Sequence, residues 1–227
     1  MLTNNYIYNK HELDSYHHEI NENYTNLLIL FKEQKTTEDK LNHLIQFTII
    51  NRLQILDLNC SSLFNSSIRK DNISYARDCT EISMHLNSFY FHLSGIIDNL
   101  AWYLEYSLNL LNIKIGGSKN KNKIGLQKKR NQDFLEELKI KNIDLYNLII
   151  EYQEWFIELN EKRDPVAHRK PIYIPPTVML NDIKQFKPVA YLDDKFIFII
   201  DSLVNDNEKL YQLCKGIVRI IKNENIK

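Results

Sequence analysis

"ISMHLNSFYFHLSGIIDNLAWYLEYSLNLL" occupies residues 82–111, and its reading decides the fold. Met84, Phe89, Leu93, Ile97, Leu100 and Leu104 recur at helical steps, and no proline interrupts the chain between Asn72 and Asn112. The spacing predicts a helix longer than most globular ones, with a bend or break near Ser94-Gly95. Asp98 and Glu105 interrupt the apolar run, so the stretch is not a membrane span.

Outward from it, the same period marks further helices. Leu13, Tyr16, Ile20, Tyr24, Leu27, Leu28 and Leu30 predict one over about residues 10–33. "KTTEDKLNHLIQFTIINRLQIL" (35–56) opens with Thr36-x-x-Asp39, a carboxylate variant of the capping box, and predicts a second. "SSLFNSSIRKDN" (61–72) has the composition of a connector, and the glycines of "IGGSKNKNKIGLQKKR" (115–130) mark a loop. Helices are expected over 131–139, 142–162 and 202–222. "KPVAYLDDKFIFII" (187–200) places two β-rich runs around Asp193-Asp194 and predicts a small hairpin. With no internal repeat and no sustained heptads, the expectation is one all-α domain over 1–227: an antiparallel helical bundle with a small β-hairpin insertion near 187–200.

Of 227 residues, 44% are hydrophobic, enough for one substantial core, and 29 basic residues balance 29 acidic ones. Global charge therefore does not attract nucleic acid, and any such binding has to come from a local patch. Three scattered cysteines, Cys60, Cys79 and Cys214, form no CxxC pair. They suit a reducing compartment, and the N-terminus lacks the apolar core of a signal peptide. A cytoplasmic protein without a membrane partner is expected. Asp14-x-x-His17, Asp39-x3-His43 and Glu81-x3-His85 never repeat one spacing, so no metal and no cofactor are expected.

One local patch exists. Lys114, Lys119, Lys121, Lys123, Lys128, Lys129 and Arg130 fall in a run with no acid between Glu105 and Asp133. Such a run either leads an RNA backbone towards a site or is a solvated connector.

The most unusual chemistry lies in "EKRDPVAHRKPIYIPP" (161–176). Asp164-Pro165 reads as an N-cap and first helical position. On that reading the long helix ends at Arg163, and His168 sits one turn into a new one. The bend would bring Arg163 and His168 onto one spot, and the downstream prolines would hold the turn. The plain alternative is an Arg capping a helix dipole and a polar turn His. Guanidinium groups make bidentate phosphate contacts, imidazole exchanges protons near neutrality, and Arg169 adds a second cation.

Arg163-Asp164-x-x-x-His168 resembles the R-x4-6-H signature of the HEPN superfamily, including the polar residue after the Arg. Together with upstream "GIIDNLAWYL" (95–104), "RDPVAHRKPIYIPP" is similar to a bacterial HEPN-like family; residues 1–70 carry no such likeness. The resemblance implies an all-α bundle and a metal-independent endoribonuclease that works as a homodimer in toxin–antitoxin or anti-phage systems. His168 would transfer protons, Arg163 hold the scissile phosphate, and Asp164 orient the motif. Lys170 stands where some HEPN toxins carry a Tyr, which argues against regulation by modification there. Asp98, followed by Asn99, either pairs with Arg163, orients His168 or faces solvent. The rival expectation is a non-catalytic HEPN module that binds a nucleotide or a partner protein.

Overall fold

The computed structural model describes residues 6–34, 38–67, 76–111, 123–168, 173–175, 179–181, 183–192 and 195–224. The chain folds as an all-α bundle with two small antiparallel sheets. In order the elements are β1 (Ile7–Asn9), α1 (Lys10–Lys32), α2 (Asp39–Leu44), α3 (Ile50–Ser67) and α4 (Ala76–Leu108), then α5 (Gln132–Lys141), α6 (Ile143–Glu151) and α7 (Gln153–His168). Strands β2 (Met179–Asn181), β3 (Lys184–Phe186), β4 (Val189–Leu192) and β5 (Lys195–Phe198) precede the closing helix α8 (Ile199–Glu224).

α1 begins at a capping box: the Asn9 side chain accepts from a backbone N–H, and Glu12 accepts from the Asn9 N–H at 2.8 Å. It buries Leu13, Ile20, Tyr24, Leu27 and Phe31, one face of a 3.6-residue period. α2 passes into α3 through a wider π-helical turn, Ile45–Ile49, which buries both of its end residues. Thr36 lies outside the described residues, and Glu38 stands as N-cap of α2 without a side-chain cap bond.

The central element is α4, about 50 Å long at 1.5 Å per residue. It packs against α3 on one side and α7 on the other. The break expected at Ser94-Gly95 is not present: α4 is helical throughout. A mid-helix glycine costs about 1 kcal/mol in propensity, and the burial of Leu93, Ile96, Ile97 and Leu100 around it outweighs that. The expected connector 61–72 begins later, because Leu63 and Phe64 are wholly buried and carry α3 on to Ser67.

The helix expected over 142–162 is two. α6 ends at Glu151 with Tyr152 as its C-cap, and Gln153 bridges the junction by donating to the Leu126 carbonyl at 2.7 Å and the Ile149 carbonyl at 3.2 Å. α7 then runs past Arg163 to His168, with Pro165 inside its last turns, so the expected helix end at Arg163 is corrected. Pro165 removes one backbone bond, to the Glu161 carbonyl. Near a C-terminus few bonds remain to be lost, and the helix continues.

The expected hairpin is present as β4–β5, with Val189 opposite Phe198 and Leu192 opposite Lys195; its turn lies outside the described residues. A second sheet, in the order β1-β3-β2, was not legible in the sequence. One buried cluster runs from Tyr8 to Ile221 and draws on every helix. Among the described residues no helix is long and apolar enough to cross a membrane.

Candidate functional site

The C-terminal half of α7 is fixed by a buried charge. Asp206 on α8 is fully buried. It accepts from the Trp155 indole N–H at 2.9 Å and from Lys162 Nζ at 2.8 Å. Lys162 also donates to Ser202 at 2.9 Å and lies 5.4 Å from the centre of the Tyr90 ring. The ammonium is thus held on several sides, and its neighbour in sequence, Arg163, is aimed at α4.

There Arg163 Nη1 donates to Ser94 Oγ at 3.3 Å. Asp98, one helical turn beyond Ser94, lies within electrostatic reach. Burial raises the pKa of the Asp98 carboxyl, while Arg163 and then Arg52 pull it back down. The net shift is upward, and the residue as a whole is exposed on α4. Among the described residues Asp98 makes no direct ion pair with either arginine. Of the readings open for Asp98, the pairing with Arg163 is an electrostatic neighbourhood without direct contact.

Arg52 comes from α3 and was not foreseen. Its guanidinium lies flat on α4 at Gly95, where any Cβ would collide with it. Its Cζ is 5.7 Å from the centre of the Phe91 ring, and Nη1 is 3.3 Å from His92 Nδ1. A guanidinium only donates, so Nδ1 of His92 is the accepting nitrogen and the ring proton sits on Nε2. Burial and the Arg52 charge both lower the pKa of His92 and keep it neutral. Burial also lowers the pKa of Arg52, with Asp98 opposing.

The signal for this half was faint. His92, Gly95 and Asp98 follow one another at three-residue steps, and a glycine on a half-exposed face of a helix asks what lies over it. Asn99 is buried, and its Nδ2 has no hydrogen-bond partner among the described residues.

Asp164 and His168 are placed as backbone positions of α7. Five positions along a helix lie about 140° apart, so α7 by itself does not bring Arg163 and His168 to one point. Arg169, Lys114, Lys119 and Lys121 lie outside the described residues.

Of the remaining basic run, Lys123 is paired with Asp133 at 3.0 Å, which offsets its charge. Lys128, Lys129 and Arg130 are placed in one turn, tied down where the Lys128 N–H donates to the Gln153 side chain at 2.7 Å. That tether sits at the start of α7, about 15 Å along the helix from Arg163. No three His, Cys, Asp or Glu side chains among the described residues converge as metal ligands. Compared with models of protein families, with curated proteins and with solved structures, the chain matches none.

Proposed function

We propose that the protein is an endoribonuclease of HEPN type, acting without metal as a homodimer in the cytoplasm, in a toxin–antitoxin or anti-phage setting. The observation that carries the reading is Arg163, held near the end of α7 by the buried Lys162–Asp206 pair and seated against Ser94 and Asp98. A guanidinium so fixed meets the charge that builds on phosphoryl oxygens when the RNA's 2′-hydroxyl attacks phosphorus. The 5′-oxygen leaves and a 2′,3′-cyclic phosphate remains. His168 exchanges the protons, Asp164 orients the motif, and Arg169 adds charge.

The angle between Arg163 and His168 on α7 supports a site completed by a second chain. Met84 and Phe91 support it too, since both are exposed on α4, seven residues apart and on one stripe with Asp98. A second copy laid on that stripe would bring its own motif to the same phosphate. Mixing wild-type protein with folded His168→Ala protein under free subunit exchange is then expected to lower activity as the square of the wild-type fraction. A straight line, or a protein that stays monomeric, would rule out the shared site.

The test of the reading itself is cleavage of single-stranded RNA by purified protein in excess EDTA. If no RNA is cleaved, the site is a phosphate-binding module without turnover.

The turn at 128–130 supplies a backbone track towards Arg163 on this reading. Changing Lys128, Lys129 and Arg130 to Gln is expected to flatten the dependence of log affinity on log salt. The slope changes by up to about 0.7 for each single-strand phosphate that is no longer neutralised. An unchanged slope would leave the turn as a solvated connector.

A further inference from the structure

We propose that Arg52, His92 and the bare backbone at Gly95 form a second phosphate subsite, which holds the phosphodiester next to the one seated at Arg163. The inference rests on the RNA reading for the identity of its ligand, but the subsite is argued from its own geometry.

Arg52 is half-buried, and among the described residues no carboxylate pairs with it directly. A guanidinium taken out of water normally takes an acid partner. Here its planar faces are used instead: one ring, Phe91, supports it, and the missing side chain at 95 lets it lie on α4. His92 takes up a single N–H of the fork at 3.3 Å. The other N–H groups of Arg52 are left for an acceptor outside this set, and the planar fork matches two oxygens of a phosphate. The same hydrogen bond fixes the His92 proton on Nε2, which makes that nitrogen a second neutral donor.

Two contact points on consecutive residues of α4 join this subsite to the first. Arg163 meets Ser94, and Arg52 meets Gly95. Asp98, one turn away, feels both cations. Between them Asp98 repels anions, so two separate phosphates flanking it fit the charge pattern better than one phosphate placed at the centre. Successive phosphates of a single RNA strand supply that arrangement.

Gly95→Ala isolates the claim, because it adds only a methyl group and removes no charge. The atoms it meets are the far end of a flexible side chain, so Arg52 swings away and α4 keeps its helix. The experiment measures binding of an uncleavable 2′-O-methyl RNA oligonucleotide and of inorganic phosphate to wild type, Gly95→Ala, Arg52→Gln and Arg163→Gln. Long-range imidazole nitrogen spectra follow His92 in the same samples.

Gly95→Ala and Arg52→Gln are each expected to weaken the oligonucleotide about tenfold, the worth of one charge-assisted phosphate contact, with unchanged circular dichroism. Phosphate is expected to shift the His92 nitrogens in wild type and not in Gly95→Ala. Wild-type affinity in both variants, or a His92 signal indifferent to phosphate, overturns the subsite. RNA cleavage that survives such a result would leave the nuclease reading standing alone. Arg52-dependent binding with no cleavage would keep the subsite and remove the nuclease.

Discussion

Arg163→Ala and His168→Ala are each expected to lose at least about a hundredfold in RNA cleavage while remaining folded by circular dichroism. General acid–base groups contribute roughly 10²–10⁴ to rate, and fixed charge at a developing oxyanion contributes comparably. The two losses are expected to differ in kind. Without Arg163 the phosphate loses a ligand that is already seated on Ser94, so binding of uncleavable RNA weakens as well. Without His168 the proton has no carrier and binding stays close to wild type. Raising pH is expected to restore part of the His168→Ala activity, because hydroxide replaces the base, and to do nothing for Arg163→Ala. Cleavage that survives both substitutions would place the chemistry elsewhere.

The largest effect on stability is expected from Asp206→Ala. The change leaves the Lys162 ammonium, whose side chain is 14% exposed, without its carboxylate, and it strips the Trp155 N–H of its acceptor. Removing one partner of a buried ion pair costs about 3–5 kcal/mol. For a chain of this size that corresponds to roughly 6–20 °C in Tm. Urea unfolding of the purified variant measures it, and a loss below about 1 kcal/mol would show that the network does not hold α7 to α8. Asp206→Asn keeps an acceptor for Trp155 and separates the two parts of the cost. Because Arg163 follows Lys162 directly, a loosened α7 is also expected to lower cleavage at temperatures where the protein is still folded.

Periodicity made the bundle legible. α1, α5 and α8 lie within a few residues of the spans that apolar spacing predicts, and β4–β5 falls where the β-rich runs place it. The departures share one cause, packing against residues far along the chain. Gly95 reads locally as a helix breaker; in the fold it is the landing place of Arg52, from the preceding helix. Pro165 reads as a helix start, yet α7 passes through it. The sheet β1-β3-β2 is made of three-residue strands, too short for a two-residue alternation to register. The site divides in the same way. Arg163 and Asp98 stand out as charges in apolar or proline-bound surroundings, and the structure sets them within electrostatic reach of each other. Arg52 and His92 look like ordinary residues of amphipathic helices. Only the packing of α3 on α4 sets them side by side.

The position of β1 has a consequence for how the chain is made. Ile7 pairs with Phe186, and the Tyr8 hydroxyl donates at 2.6 Å to Asp201, 193 positions later. At synthesis rates of about 5–20 residues per second, that partner emerges roughly ten to forty seconds after Tyr8 does. α3 and α4, adjacent in sequence and in space, close on each other long before then. Through that interval the nascent chain carries a strand edge whose partner has yet to be made, followed at once by a well-capped helix. The strand at Ile7 and the hydroxyl at Tyr8 are therefore joined to their partners late, and β1 is a segment open to capture by other chains on the ribosome.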